Sequence, residues 1–367
     1  MKILLLSDLN SIHTKKWVEA IDAYGVELIV FGLTPPNDDF YEKFNHVKIS
    51  AANNSNLRGR SLLSKFSYLT SVKALKQLYK SFQPDLVHAH YASSYGLLGS
   101  LLNHKPFLIS MWGTDIFEFP KNSILNRILL KRNLRRADYL FSTSHSMANE
   151  AKIYTSKEIN IVPFGVDVSR FSPQPFKDDN VFVIGIVKTL EINYGINFLI
   201  EAFGIVHTEL PTLNLKLVIA GTGSQESVLK SLAASLKLED KIEFRGYIQN
   251  KEVPACFNEM DIAVVSSLEE SFGVSAVEAG ACGLPVVATA VGGLPEVVLD
   301  GQTGLICKPA HPIDLAEKLK VLILDDQLRK NLGCNARDNI LKKYDWHQNA
   351  ALMMNYYQSI YDRDVNF

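Results

Sequence analysis

Two glutamates with seven residues between them enclose the run Glu270-Ser-Phe-Gly-Val-Ser-Ala-Val-Glu278. The chain continues Ala279-Gly-Ala-Cys-Gly-Leu-Pro285-Val-Val-Ala-Thr289, then Gly292-Gly-Leu-Pro-Glu296 and Asp300-Gly-Gln-Thr-Gly304. A polar loop with Gly273 opens a short helix, Gly283 and Pro285 end it, and Pro-Val-Val-Ala-Thr reads as a buried strand of a parallel sheet. The backbone N–H groups of Phe272, Gly273, Val274 and Ser275 would stand unpaired at the helix N-terminus, where free donors and the helix dipole favour a phosphate. Two carboxylates would flank that ligand. The same residues allow another role, because Ser275-Ala-Val-Glu278 fits a capping box in which Glu278 serves only the helix start.

The block resembles the E-x7-E region of the retaining glycosyltransferases of family 4, which have the two-domain GT-B fold. In that family the first glutamate lies beside the donor sugar and its diphosphate. The amides after it hold phosphate oxygens and sugar hydroxyls, and the second glutamate binds the ribose hydroxyls. The resemblance gives those roles to Glu270, to Phe272 through Ser275, and to Glu278. Lys188, directly after the apolar run Val183–Val187, corresponds to one basic residue of the family's Gly-Arg-(x)-Lys-Gly phosphate clamp. The clamp's second cation would fall near Tyr194-Gly195, where this chain has tyrosine. Gly221-Thr-Gly223 resembles the glycine turn beneath the donor, and Gly246-Tyr-Ile248 lies where the family's nucleotide base rests on backbone groups.

In the first half the family's Gly-Gly pair is missing, and the loop after the first strand offers Asn10, His13, Lys15 and Lys16 instead. Without glycine, side chains rather than bare backbone would make the contacts there. Trp112 stands where the family often places a histidine before Gly-Thr-Asp, and Asp115 is retained. The resemblance therefore puts Asn10, His13, Trp112 and Asp115 on the acceptor side, while a core role suits Trp112 equally well. His88 and His90 would share a strand face, but no third ligand lies near them and no Asp-x-Asp follows a buried strand. Neither a metal nor another cofactor is expected.

The 367 residues suit two domains, and the four cysteines show neither a Cys-x-x-Cys spacing nor a disulfide framework, which implies a reducing cytosol. The apolar start is too short for a signal peptide, and nothing approaches the roughly 20 apolar residues of a membrane span. Residues 1–170 carry 21 Lys plus Arg against 14 Asp plus Glu, and residues 171–367 carry 17 against 25. A basic first half suits an anionic acceptor or the inner face of an anionic membrane, to which the chain would attach peripherally. Nucleic acid is not expected, because the cations are dispersed and no RRM, KH or helix-turn-helix signature accompanies them.

Apolar strands alternate with helical stretches in both halves, which predicts an α/β fold of two doubly wound, Rossmann-like domains facing a central cleft. The first strands and helices fall at Lys2–Leu6, Trp17–Ala23, Glu27–Phe31, Tyr68–Ser81, Leu86–His90, Phe107–Met111, Leu125–Ala137 and Tyr139–Ser142. The domain limits are 1–165 and 181–345, with the proline-rich 166–180 as linker and a helix over 346–367 that, by resemblance, packs back on the first domain.

The reaction implied is transfer of a sugar, with retention, from a nucleotide diphosphate sugar to the hydroxyl of a carbohydrate or lipid-linked acceptor. Cell-surface polysaccharide or glycolipid synthesis is its expected setting. The protein's main task would be to stabilise charge on the leaving diphosphate, with Glu270 orienting the sugar. Two rivals share the fold: a nucleotide-sugar epimerase, and a sugar-nucleotide-binding subunit without chemistry.

Overall fold

The computed structural model describes residues 1–52, 62–174 and 180–364, residues 62–70 by their backbone alone. The chain divides into two compact units, Met1–Pro163 with Asn349–Phe367, and Phe164–Gln348.

In the first unit, β1 (Lys2–Leu6), β2 (Glu27–Gly32), β3 (Val47–Ala51), β4 (Leu86–His90), β5 (Phe107–Met111), β6 (Tyr139–Ser142) and β7 (Ile159–Ile161) form one sheet in the order β3-β2-β1-β4-β5-β6-β7. Every pairing is parallel. Strands such as Lys2-Ile-Leu-Leu-Leu6 are apolar along their length because helices cover both faces of such a sheet. Their side chains join Leu98, Leu130, Leu134 and Met147 of those helices in a buried core. The order reverses between β1 and β4, so the crevice beyond the carboxyl ends of these two strands is the fold's natural ligand position. Ser7, after β1, and His90, the last residue of β4, meet there with Oγ and Nδ1 2.9 Å apart.

The second unit repeats the plan with β8 (Phe182–Val187), β9 (Leu215–Ala220), β10 (Ile242–Gly246), β11 (Ile262–Val265), β12 (Val286–Thr289) and β13 (Gly304–Cys307), in the parallel order β10-β9-β8-β11-β12-β13. Here the reversal lies between β8 and β11. Lys188 follows the first of these strands and the loop carrying Glu270 follows the second.

The unit boundary falls after Pro163, ahead of the linker read from the sequence. Of that linker, 175–179 lie outside the described residues, and 166–174 belong to the second unit. Val166 forms a bridge with Asp345, Phe171 is buried, and the Arg337 guanidinium donates to the carbonyls of Phe171, Ala281 and Val168 at 2.6, 2.6 and 2.9 Å. Apolar residues among the prolines anchor this stretch, which proline content alone conceals.

The closing helix spans Trp346–Asp364; residues 365–367 of the expected run lie outside the described part. From Asn349 onward it belongs to the first unit. Tyr357 is fully buried there, its hydroxyl 2.6 Å from His88 Nδ1, and Tyr356 packs edge-on against Phe141.

Candidate active site

At the strand reversal of the second unit the Lys188 ammonium donates to Glu270 Oε2 at 2.6 Å, and the two side chains are only 15% and 11% exposed. Near a protein surface two unit charges about 4 Å apart attract by about 4 kcal/mol, against about 1 kcal/mol in water. Lost hydration offsets much of that gain, so the pair is held by its surroundings as well as by its charges. Ser267 Oγ donates to the same carboxylate oxygen at 3.4 Å. Thr289 Oγ1 in turn donates to the Ser267 carbonyl at 2.6 Å, tying the loop after β11 to the end of β12. Tyr194, which replaces the second cation of the family's clamp, places its ring 4.4 Å from the Lys188 ammonium. The carbonyl of Asn193 accepts from the amides of Leu268 and Glu269 at 2.8 and 3.3 Å, so the loops after β8 and β11 are joined across the reversal.

The helix after Glu270 runs Val274–Ala281 with Gly273 at its N-cap, φ 101°, and no side chain caps it. The capping-box reading therefore fails. Ser275 lies inside the helix, and its Oγ donates to the Val187 carbonyl at 2.9 Å, which draws the helix start to the end of β8 beside Lys188. Among the described residues the amides of Gly273, Val274 and Ser275 have no protein acceptor. Free donors at a helix start, together with the helix dipole, favour an anion, and the Ser275 bond to Val187 sets this helix start at the end of the strand that precedes Lys188. A side chain at Gly273 would strike Leu294, its Cβ 2.6 Å from Cδ2. Phe272 contributes only backbone here, because its ring is packed between Phe164 and Tyr344. Glu278 sits half-buried one turn further along the helix, and Glu269 is exposed.

Glycines place the Glu270 loop. A Cβ on Gly292, φ 50°, would lie 1.6 Å from the Glu270 carbonyl oxygen, and the Gly293 amide donates to that oxygen at 3.2 Å. Gly221 and Gly223 do the same for the opposite loop: their Cβ atoms would meet the carbonyl oxygens of Lys188 and Leu190 at 1.9 and 2.4 Å. Gly221 is thus needed for backbone packing against Lys188, and Gly223 for packing against Leu190 two residues further on. Gly246, φ 68°, ends β10 and receives the Gly221 amide at 2.7 Å, followed by exposed Tyr247 and half-buried Ile248.

The first unit gathers the acceptor-side candidates into an aromatic and histidine cluster. Trp112 is buried, with its ring 4.1 Å from that of His90 and 5.9 Å, edge-on, from that of His13. Burial, with the nearby Lys16, pushes the His13 imidazole down to about 4. Burial likewise pushes His88 down to about 3 and holds His90 well below its ordinary value. All three rings are neutral at pH 7. His88 Nε2 lies 2.8 Å from Ser110 Oγ, so both its ring nitrogens have side-chain partners.

Asp115 is fully buried and accepts from the amides of Ala92, Gly113 and Trp112 at 2.7, 2.8 and 3.2 Å. Its carboxylate fixes the two loops that carry Tyr91 and Trp112. Asn10 bridges to the loop after β2, donating to the Pro35 carbonyl at 3.0 Å and accepting from the Asn37 amide at 2.8 Å. These two residues hold loops in place where the sequence suggested acceptor contacts.

Ser267 and the part played by Tyr194 escaped the sequence reading. The signal was Ser266-Ser267 immediately after a buried parallel strand, where such sheets place their ligand groups.

Residues 167–339 match the family described as Glycosyl transferases group 1, and residues 2–144 match Glycosyl transferase 4-like. An uncharacterized glycosyltransferase of Methanocaldococcus jannaschii is 31% identical over 300 residues, covering 81% of this chain and 82% of that protein. The chain belongs to the family-4 glycosyltransferases. The fold of this glycosyltransferase is GT-B, as its likeness to solved structures shows. Sucrose-phosphate synthase from Thermosynechococcus elongatus superposes with a TM-score of 0.84 at 22% identity, over 99% of both chains. Anabaena HepE in complex with UDP gives 0.80 at 19% identity, over 98% of the glycosyltransferase and 100% of HepE.

Proposed function

We propose that the glycosyltransferase moves a sugar from a nucleotide diphosphate sugar to an acceptor hydroxyl with retention at the anomeric carbon. The observation that carries this is the Lys188–Glu270 pair beside the uncapped start of the Val274–Ala281 helix. An arriving diphosphate displaces the Glu270 carboxylate as the partner of Lys188, and its oxygens take up the amides of Gly273, Val274 and Ser275. Glu270, released from the ammonium, turns to the donor sugar and supports the positive charge that grows as the diphosphate departs. The acceptor hydroxyl attacks on the face the diphosphate leaves, and a phosphate oxygen takes its proton. Glu278, further along the same helix, accepts the ribose hydroxyls. The UDP complex of a protein of the same fold supports a nucleotide donor, and we place the product in surface polysaccharide or glycolipid.

The test is turnover of UDP-, GDP- and ADP-sugars with a panel of carbohydrate and lipid-linked acceptors, the product linkage read by NMR. An α-linked product from an α-linked donor is expected. An inverted product removes the retaining mechanism, and an epimerised nucleotide sugar without transfer removes the reaction as a whole.

A further inference from the structure

We propose that the first unit holds a second ligand site, a saccharide-binding cavity at the amino ends of β6 and β7 beside the closing helix. The two strands pair in parallel, with Leu140 opposite Ile159 and Phe141 opposite Asn160, and β7 is the edge of the sheet. On the helix, Tyr356, Ser359, Ile360 and Arg363 recur at the spacing of one face. Ile360 is buried and fastens that face to the unit. Tyr356 Oη donates to Asn160 Oδ1 at 3.2 Å, and the Arg363 guanidinium lies 5.2 Å from the centre of the Tyr139 ring. Strands and helix enclose a cavity of about 480 Å³, a size at which small-molecule sites are found. Ser7 and His90 meet at the carboxyl ends of β1 and β4, so this cavity lies at the opposite end of the same parallel sheet.

The wall selects its ligand by charge and by open bonds. Its ionic side chains are two carboxylates, Asp138 and Glu158, and two cations, Lys157 and Arg363, so it presents no net charge. Three of the four are already engaged. Asp138 accepts from the Phe107 amide at 2.9 Å, Lys157 donates to the carbonyls of Arg135 and Ala137, and Arg363 pairs with Asp364 at 3.3 Å. A phosphate or diphosphate would need cations in excess to be drawn from water. A hydrocarbon would cover polar groups and leave them unbonded. Among the described residues the Glu158 carboxylate, the Asn160 Nδ2 group and the Ser359 hydroxyl have no hydrogen-bond partner. An acceptor, a donor and a hydroxyl thus stand open around one cavity with tyrosines in its wall. A neutral polyhydroxyl compound answers all of them, because its hydroxyls donate and accept while the C–H face of a pyranose packs on an aromatic ring.

In a glycosyltransferase such a site keeps a saccharide chain bound away from the reaction, which raises the concentration of its free end at the enzyme. That role rests on the carbohydrate acceptor proposed above. The binding itself does not, and the experiment reads it separately from transfer.

The probes are neutral trisaccharides of glucose, galactose, mannose and N-acetylglucosamine, titrated into the full chain by calorimetry and saturation-transfer NMR, with and without UDP. At least one should bind equally well in both conditions. The Glu158→Ala/Asn160→Ala variant, and separately Ser359→Trp, which fills the cavity from the helix, should each raise the dissociation constant more than about tenfold and leave UDP affinity unchanged. Circular dichroism and the thermal midpoint confirm that each variant is folded. Should loss of Asn160 unfold the chain, Ser359→Trp carries the comparison by itself. A protein that binds the trisaccharide yet transfers no sugar keeps this site and loses the proposed reaction. Binding that UDP abolishes, binding unaltered in the folded variants, or no binding by any trisaccharide overturns the proposal. So does uptake of inorganic phosphate that Lys157→Gln/Arg363→Gln abolishes while the saccharides fail to bind, which would make the cavity an anion site.

Discussion

Lys188 Nζ and Glu270 Oε2 meet at 2.6 Å across 82 positions of sequence. The meeting follows from topology. β8 and β11 are neighbours in the sheet, the chain leaves them toward opposite sides, and the residues just beyond their carboxyl ends face one another.

A double-mutant cycle measures this pair. Lys188→Ala leaves the Glu270 carboxylate largely buried with Ser267 as its remaining partner, and Glu270→Gln leaves the ammonium without its charge partner. The coupling read from urea unfolding should be about 1–3 kcal/mol, because each single change strands a desolvated charge that the double change does not. Strict additivity would mean that the pair does not persist in solution.

Tyr194 tests the departure from the family's two-cation clamp. Its ring faces the Lys188 ammonium at 4.4 Å, so Tyr194→Phe should keep donor affinity, while Tyr194→Ala should weaken it by about 0.5–2 kcal/mol. Titration calorimetry with the donor nucleotide reads the difference. Equal loss in both variants would assign the effect to the hydroxyl.

Glu278→Gln separates ligand binding from helix capping. Because Gly273 is the N-cap and Ser275 bonds to Val187, stability should change by less than about 0.5 kcal/mol. Nucleotide affinity should fall by about 1 kcal/mol or more as a charged acceptor of ribose hydroxyls becomes neutral. A variant with unaltered affinity would take Glu278 out of the donor site.

Gly292 and Gly301 form a controlled pair. Both have positive φ, 50° and 67°, but a Cβ at Gly292 would strike the Glu270 carbonyl, whereas nothing lies within 4 Å of one at Gly301. Gly301→Ala should cost about 1 kcal/mol for its backbone conformation alone. Gly292→Ala should cost more and lose turnover, because the Glu270 loop must move. Equal stability and full activity in both would show that this loop yields freely.

The histidines of the first unit govern its acid stability. The folded value of His88 lies at about 3 and that of His90 is also depressed, so below about 6.5 the unfolded chain binds more protons than the folded one. Stability present above pH 6.5 is then lost as pH falls toward 3. The urea midpoint should drop through this window, and His88→Gln, which retains groups for Tyr357 and Ser110, should flatten the decline. An unchanged slope would point to the carboxylates instead.

Much of this protein is local and therefore readable in one dimension. The central strands announce themselves as continuous apolar runs, since a strand covered on both faces has no solvent side to mark. Lys2–Leu6, Leu86–His90, Phe107–Met111 and Tyr139–Ser142 match the observed limits. Edge strands Val47–Ala51 and Ile159–Ile161 passed unnoticed, because half-exposed edges mix polar residues among few apolar ones. Lys188 and Glu270 each stood out by position after a strand or within a motif. Their contact, and the ring of Tyr194 against the lysine, depend on which strands become neighbours, a property of the whole sheet. The roles of Ser275 and Asp115 were likewise decided in three dimensions, where Val187 offers a carbonyl to the serine and three amides converge on the aspartate. Residue type states which bonds a side chain is able to make; the fold, by choosing its neighbours, settles which of them form.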